Sequence, residues 1–168
     1  MATFTLIHVL ISLAGIVSGF VVLYGFLLNK EWNRWTQTFL GTTVLTSVSG
    51  YGFPATHVTP GHIVGAISLV ALGFAIYAKY VQQGQAGWGM AYVINSTFAL
   101  YLNVFVLIVQ LFGKVSALKA LAPTQSEAPF AVVQVVALTG FVVAGFLAVG
   151  RFRSNSSLKV APVQVSHV

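Results

Sequence analysis

The chain has 168 residues, 57% of them hydrophobic and only 6% charged. A water-soluble domain carries about 25% charged residues, so ten charged side chains cannot dress its surface, and the bilayer is the solvent that fits. Eight Lys/Arg against Glu31 and Glu127 leave a net charge of +6, which in so apolar a chain points to the basic flanks of membrane helices rather than to nucleic acid.

There is no cysteine, which excludes disulfides, thiolate nucleophiles and Cys-ligated metal centres. Met1 and Met90 are the only methionines, too few for a thioether copper site. Five segments approach the roughly 20 apolar residues that cross the hydrocarbon. The first, Thr5–Leu28, has no basic residue before it and is too long for a signal h-region, so it reads as a span rather than a cleaved leader. Along it His8, Ser12, Gly15 and Gly19 recur near the helical period and share one face, and small residues on a face let helices approach closely in lipid. Lys30 and Arg34 follow in the connection.

The second segment, Trp35–Phe53, is rich in Thr and Ser, whose hydroxyls can bond back to helical carbonyls. Thr42, Thr46 and Ser49 form its polar stripe. It runs into SVSGYGFPATHVTPGH, residues 47–62. Gly50-Tyr51-Gly52 has the look of a potassium-channel filter, but it ends a segment long enough to cross by itself. A turn fits better: Gly50 and Gly52 loosen the helix end, and Pro54 stops it. Thr59 reads as an N-cap and Pro60 as the first helical residue. That puts His62 in the first turn of the third segment, Pro60–Val81, where the positive end of the helix dipole disfavours an imidazolium. The neutral ring ligates metal or accepts a proton. His57 lies on the loop, and Gly61, Gly65 and Ser68 line the segment that follows.

The fourth segment, Met90–Gly113, carries Ser96, Asn103 and Gln110 at seven-residue steps. The fifth, Glu127–Gly150, starts from Ser126 as N-cap, with Pro129 in its first turn, where proline is tolerated. Gln134 lies near its start. The expected architecture is all-α: an integral membrane bundle of five transmembrane helices over residues 1–153, followed by a disordered cytoplasmic tail, 154–168, that contains His167. An N-terminus outside and a C-terminus inside put Lys30, Arg34, Lys79, Arg151, Arg153 and Lys159 on the cytoplasmic side and leave Lys114 and Lys119 outside. Trp32, Trp35, Tyr77, Tyr80 and Trp88 then form a cytoplasmic aromatic belt. The same orientation delivers His8, His62, Asn103, Gln110, Glu127 and Gln134 to the outer leaflet.

Ala99-Leu100-Tyr101-Leu102-Asn103-Val104-Phe105, Gln110-Leu111-Phe112 and Ala122-Pro123-Thr124-Gln125-Ser126-Glu127, with Thr42–Val48 and the Pro60–His62 turn, resemble a group of small, uncharacterised bacterial multi-pass proteins. The resemblance covers most of the chain, implies a bacterial inner membrane and carries no activity.

Ionisable groups within spans are functional candidates. His8 and His62 on different helices suit axial ligation of a haem b, the metal site this sequence allows. A quinol needs only a histidine to accept a proton and Gln110 or Glu127 for its other oxygen. Asn103 and Gln134 complete the polar set, although Asn103 and Gln110 are equally suited to gluing helices together. A small channel or transporter is one alternative. A non-catalytic accessory or assembly subunit, packed on other membrane subunits or on a second copy, is another. No nucleophile–base pair, carboxylate pair or phosphate loop is present, so a hydrolase has no support, and whether the protein is an enzyme stays open.

Overall fold

Helix α1 (Ala2–Leu27) stops where Asn29 turns left-handed at φ 55°. The Asn29 amide then bonds to Phe26 O and the Lys30 amide to Gly25 O, the paired bonds that satisfy the last carbonyls of a helix. Helix α2 (Asn33–Gly50) returns antiparallel. α3 (Pro60–Ile76) continues through a π-helical turn, Tyr77–Val81, and α4 (Trp88–Lys114) follows. A short α5 (Ser116–Leu121) leads into α6 (Ala128–Lys159). The computed structural model describes residues 2–54, 58–82 and 87–159, with side chains from Thr3 to Arg151. His57, His167 and the end of the expected tail lie outside the described residues, and the backbone of 154–159 is helical.

Among the described residues four helices are long and apolar enough to cross a membrane: Thr3–Leu27, Pro60–Val81, Trp88–Lys114 and Ala128–Arg151. The second segment expected to span forms a helix but is not among them, because Thr and Ser supply seven of the 18 residues of α2. Their hydroxyls return to the backbone as the composition suggested: Thr38 donates to Arg34 O at 3.0 Å and Thr42 to Thr38 O at 2.6 Å.

Side-chain contacts fix the up-and-down topology. α4 is the hub. It meets α1 antiparallel through Phe26–Tyr92, Gly19–Leu100 and Gly15–Asn103. It meets α2 in parallel through Thr36–Tyr92 and Thr43–Asn103, and α6 antiparallel through Phe112–Phe130 and Tyr101–Phe141. One end of the bundle therefore gathers the start of α1, the end of α2, the starts of α3 and α6, and the end of α4. Both described histidines lie there, and we call it the histidine end. The opposite, basic end gathers Lys30, Arg34, Lys79 and Arg151.

The main apolar core occupies the basic half: Val22, Leu23, Phe26, Phe39, Leu40, Leu72, Ala75, Tyr92, Val93 and Leu100 pack together. A smaller cluster of Ile108, Phe112 and Ala122, with Phe130 against it, holds α4, α5 and α6 at the histidine end. Toward that end the buried side chains of α2 and α3 are Thr43, Ser47 and Ser68. There, hydroxyls and glycines replace the apolar core.

Candidate functional site

The small and polar faces of α1 and α2 interlock as their spacing predicted. His8 Nδ1 lies 2.8 Å from Ser49 Oγ, and Ser12 Oγ donates to Thr46 Oγ1 at 3.4 Å. One turn deeper, a Cβ on Gly15 would sit 3.2 Å from both Thr42 Oγ1 and Thr43 Oγ1. Asn103 from α4 closes the seam by donating its Nδ2 to Thr43 Oγ1 at 3.2 Å. The periodicity singled out Thr42, yet Thr43 is the fully buried partner. A stripe read along one helix cannot fix which of two adjacent threonines a third helix will meet.

Hydrogen-bond directions set what each imidazole offers. Ser49 Oγ donates to Thr46 O at 3.2 Å. A hydroxyl has one proton; with it on Thr46 O, Ser49 accepts toward His8 and His8 Nδ1 carries the hydrogen. In the neutral ring Nε2 then holds a free lone pair. The ring itself is held edge-on to Phe53, centroids 5.0 Å apart at 90°.

His62 has the opposite arrangement. The Thr59 amide donates to His62 Nδ1 at 3.2 Å, and Thr59 Oγ1 accepts from the His62 amide at 3.4 Å. This is a capping box with histidine in the place usually taken by Glu or Gln, around the Thr59 cap and Pro60 start that the sequence indicated. With Nδ1 accepting, the neutral ring keeps its hydrogen on Nε2, which is then a donor and not a ligand. Tyr51 stacks on the ring at 5.2 Å and 10°, and its hydroxyl donates to His62 O at 2.8 Å. His62 thus builds the start of α3.

Tyr51 and Phe53 went unnoticed in the sequence as site residues. The i, i+4 step from Ser47 to Tyr51 toward α3 was the available signal. The glycines around Tyr51 act through their size. Neither Gly50 nor Gly52 has a positive φ, but a Cβ on Gly52 would meet the Phe4 ring at 2.9 Å.

The two histidines do not face one another. Ser49 and Tyr51, their partners on α2, are two residues apart and so about 200° around the helix. α2 lies between α1 and α3, and its body of about 10 Å separates the rings. Ligation of one haem iron from both sides requires the rings to converge, so this pair does not fit haem b. Among the described residues no three His, Asp or Glu gather to hold a metal.

The remaining polar residues divide between two faces of α4. Asn103 turns toward α1 and α2. Gln134 is buried between α4 and α6, donating to Phe105 O at 3.4 Å, with its Oε1 unpartnered. Glu127 is folded back on its own loop. Its carboxylate accepts from the Thr124 amide and hydroxyl at 3.1 and 2.9 Å and from the Ser126 amide at 3.1 Å. Its carbonyl takes the first helical bond from Ala131, so Glu127, not Ser126, occupies the cap position of α6.

Desolvation opposes ionisation of Glu127, but these hydrogen bonds outweigh it and hold the carboxyl below the usual carboxylate range. A depressed folded pKa gives stabilisation that is present above the unfolded value and lost as pH falls through the folded one. The amide resonances of Thr124 and Ser126 should therefore shift together on acidification, with a midpoint below that of free glutamate. In Glu127→Gln the shift should vanish.

Gln110 stands apart. The α1–α4 register Phe26–Tyr92, Gly19–Leu100, Gly15–Asn103, carried one heptad further, sets Gln110 level with His8. At that height Gln110 is exposed and His8 half-buried. Below Gly15 the seam closes: Phe39, Leu100 and Tyr92 fill the space between the helices. His8, Ser12, Ser49 and Thr46 thus lie on the histidine side of that closure, and the hydroxyls of Ser18, Thr36 and Ser96 are buried within the packed bundle. No family model, no curated protein and no solved structure matches this chain.

Proposed function

We propose that this is a five-span protein of the bacterial inner membrane, N-terminus outside and C-terminus inside, that binds a bilayer-soluble quinol between α1 and α4 in its outer leaflet. The orientation rests on the excess of Lys and Arg at the basic end, with α2 crossing against α1, α3 and α4, its hydroxyls bonded to backbone or to neighbouring side chains. The bacterial setting rests on the resemblance noted in the sequence. The observation that carries the ligand class is the His8–Ser49–Thr46 chain, which leaves His8 Nε2 as an acceptor at a half-buried position. A quinol hydroxyl would donate to it, and the Gln110 amide, level with it on α4, would serve the second oxygen. An aromatic ring suits the Phe4–Phe53 wall beside His8.

The test is binding of a short-chain ubiquinol to the protein in nanodiscs. Wild type should bind saturably and His8→Leu should not. Equal binding by both would discard the reading.

An accessory-subunit reading has one observation in its favour. α6 is attached by one side only, and Val132, Val136 and Phe146 on the rest of it are exposed. Isolation of the protein as a stable part of a larger membrane complex, without quinol binding, would favour that reading instead.

A further inference from the structure

The basic end carries a second feature, unconnected to the histidines. Between the end of α1 and the start of α2 lies an open depression of about 530 Å³ lined by Val21, Glu31, Trp32, Asn33, Arg34 and Trp35. Its walls are aromatic and aliphatic. Trp32 packs on Tyr24 at 6.3 Å, and Trp35 is exposed. Val21 belongs to a helix long and apolar enough to span, so the depression runs from the level of the connecting loop into the level of the hydrocarbon.

The charge in it is unbalanced. Glu31, the one acid, is already paired with Lys79 at 2.5 Å, and Lys79 also lies over the Tyr92 ring at 5.2 Å. Arg151 is committed to Leu27 O. Of the lining residues Arg34 remains, exposed and with no carboxylate partner among the described residues, and exposed Lys30 precedes Glu31 in the chain. A guanidinium next to an aromatic wall, at the height where headgroups meet acyl chains, is the chemistry that recognises a phosphodiester whose tails remain in lipid.

We propose that this depression holds an anionic phospholipid, with its phosphate on Arg34 and an acyl chain along Val21 and Trp35. Zwitterionic lipids match it less well, because their ammonium group would lie against the unpaired Arg34 guanidinium while Lys79 has taken the one carboxylate, Glu31.

Trp32 and Trp35 report on it directly, because both line the depression and the remaining tryptophan can be removed as Trp88→Phe. In vesicles containing brominated phosphatidylglycerol, tryptophan quenching should exceed that in vesicles containing brominated phosphatidylcholine. Arg34→Gln should weaken the preference about fivefold. Lys114→Gln, the same charge change at the other end of the bundle, should leave it intact. Equal quenching by the two lipids overturns the proposal. So does an equal loss in Arg34→Gln and Lys114→Gln, which would mean only general attraction of anionic lipid. Competition by millimolar inorganic phosphate would assign the site to a free anion and overturn it as well. Each variant is checked first for unchanged helical circular dichroism.

Discussion

Gly19→Val is expected to destabilise the bundle by about 3 kcal/mol, at the upper end of what overpacking costs. Gly19 lies at the centre of the α1–α2–α4 contact. A single added Cβ would lie 2.4 Å from Leu100 Cδ1 and 2.9 Å from two carbons of the Phe39 ring. A leucine terminus can often swing away, but Leu100 and Phe39 are each 1% exposed and have nowhere to go. Valine adds two further carbons where the first does not fit. Gly73→Val is the comparison, since nothing lies within 4 Å of a Cβ there and the helix should absorb the change within about 0.5 kcal/mol. The measurement is the thermal or denaturant midpoint of purified protein in detergent. Equal midpoints for the two variants would mean that α1 does not pack on α2 and α4 at Gly19.

Much of that contact was legible in the sequence, for a physical reason. In lipid, apolar side chains do not drive helices together. The small and hydroxylated residues therefore mark the faces that touch, and their 3.6-residue spacing survives in the sequence. His8, Ser12, Gly15 and Gly19 showed their face this way and met Ser49, Thr46 and Thr42. The Thr59-Pro60 start of α3 was legible because a cap is a local device. Less local features were hidden. Nothing in the spacing of Ser96, Asn103 and Gln110 tells that the stripe leaves the bundle at Gln110, because that depends on how long α1 stays in contact with α4. The folding-back of Glu127 depends on Gln125 adopting φ 59°, which its residue type does not announce. His62 looked like a partner for His8 because both lie at one end. Their separation follows from the angle between Ser49 and Tyr51 around α2, and that could be assigned only once each ring's partner was known.

The same angle makes His8 the sharper test of function. In His8→Leu, quinol affinity should fall about tenfold or more, the equivalent of a strong hydrogen bond, while the unfolding midpoint moves little. Leucine can fill the space against Phe53, and Ser49 keeps its bond to Thr46 O, so no buried polar group is left unpaired. Ser49→Ala should act on binding by another route. The imidazole stays, but its Nδ1 hydrogen loses its acceptor and the ring is free to place that hydrogen on Nε2, where it would oppose a donating ligand. Nitrogen-15 spectra of the ring should show Nε2 as the unprotonated nitrogen in wild type and a mixture in Ser49→Ala, with affinity falling in proportion. His62→Gln keeps a side chain able to accept from the Thr59 amide and should leave binding unchanged. If His62→Gln weakened the quinol as much as His8→Leu, the site would have to reach both faces of α2, and the division of labour between an accepting His8 and a capping His62 would be wrong.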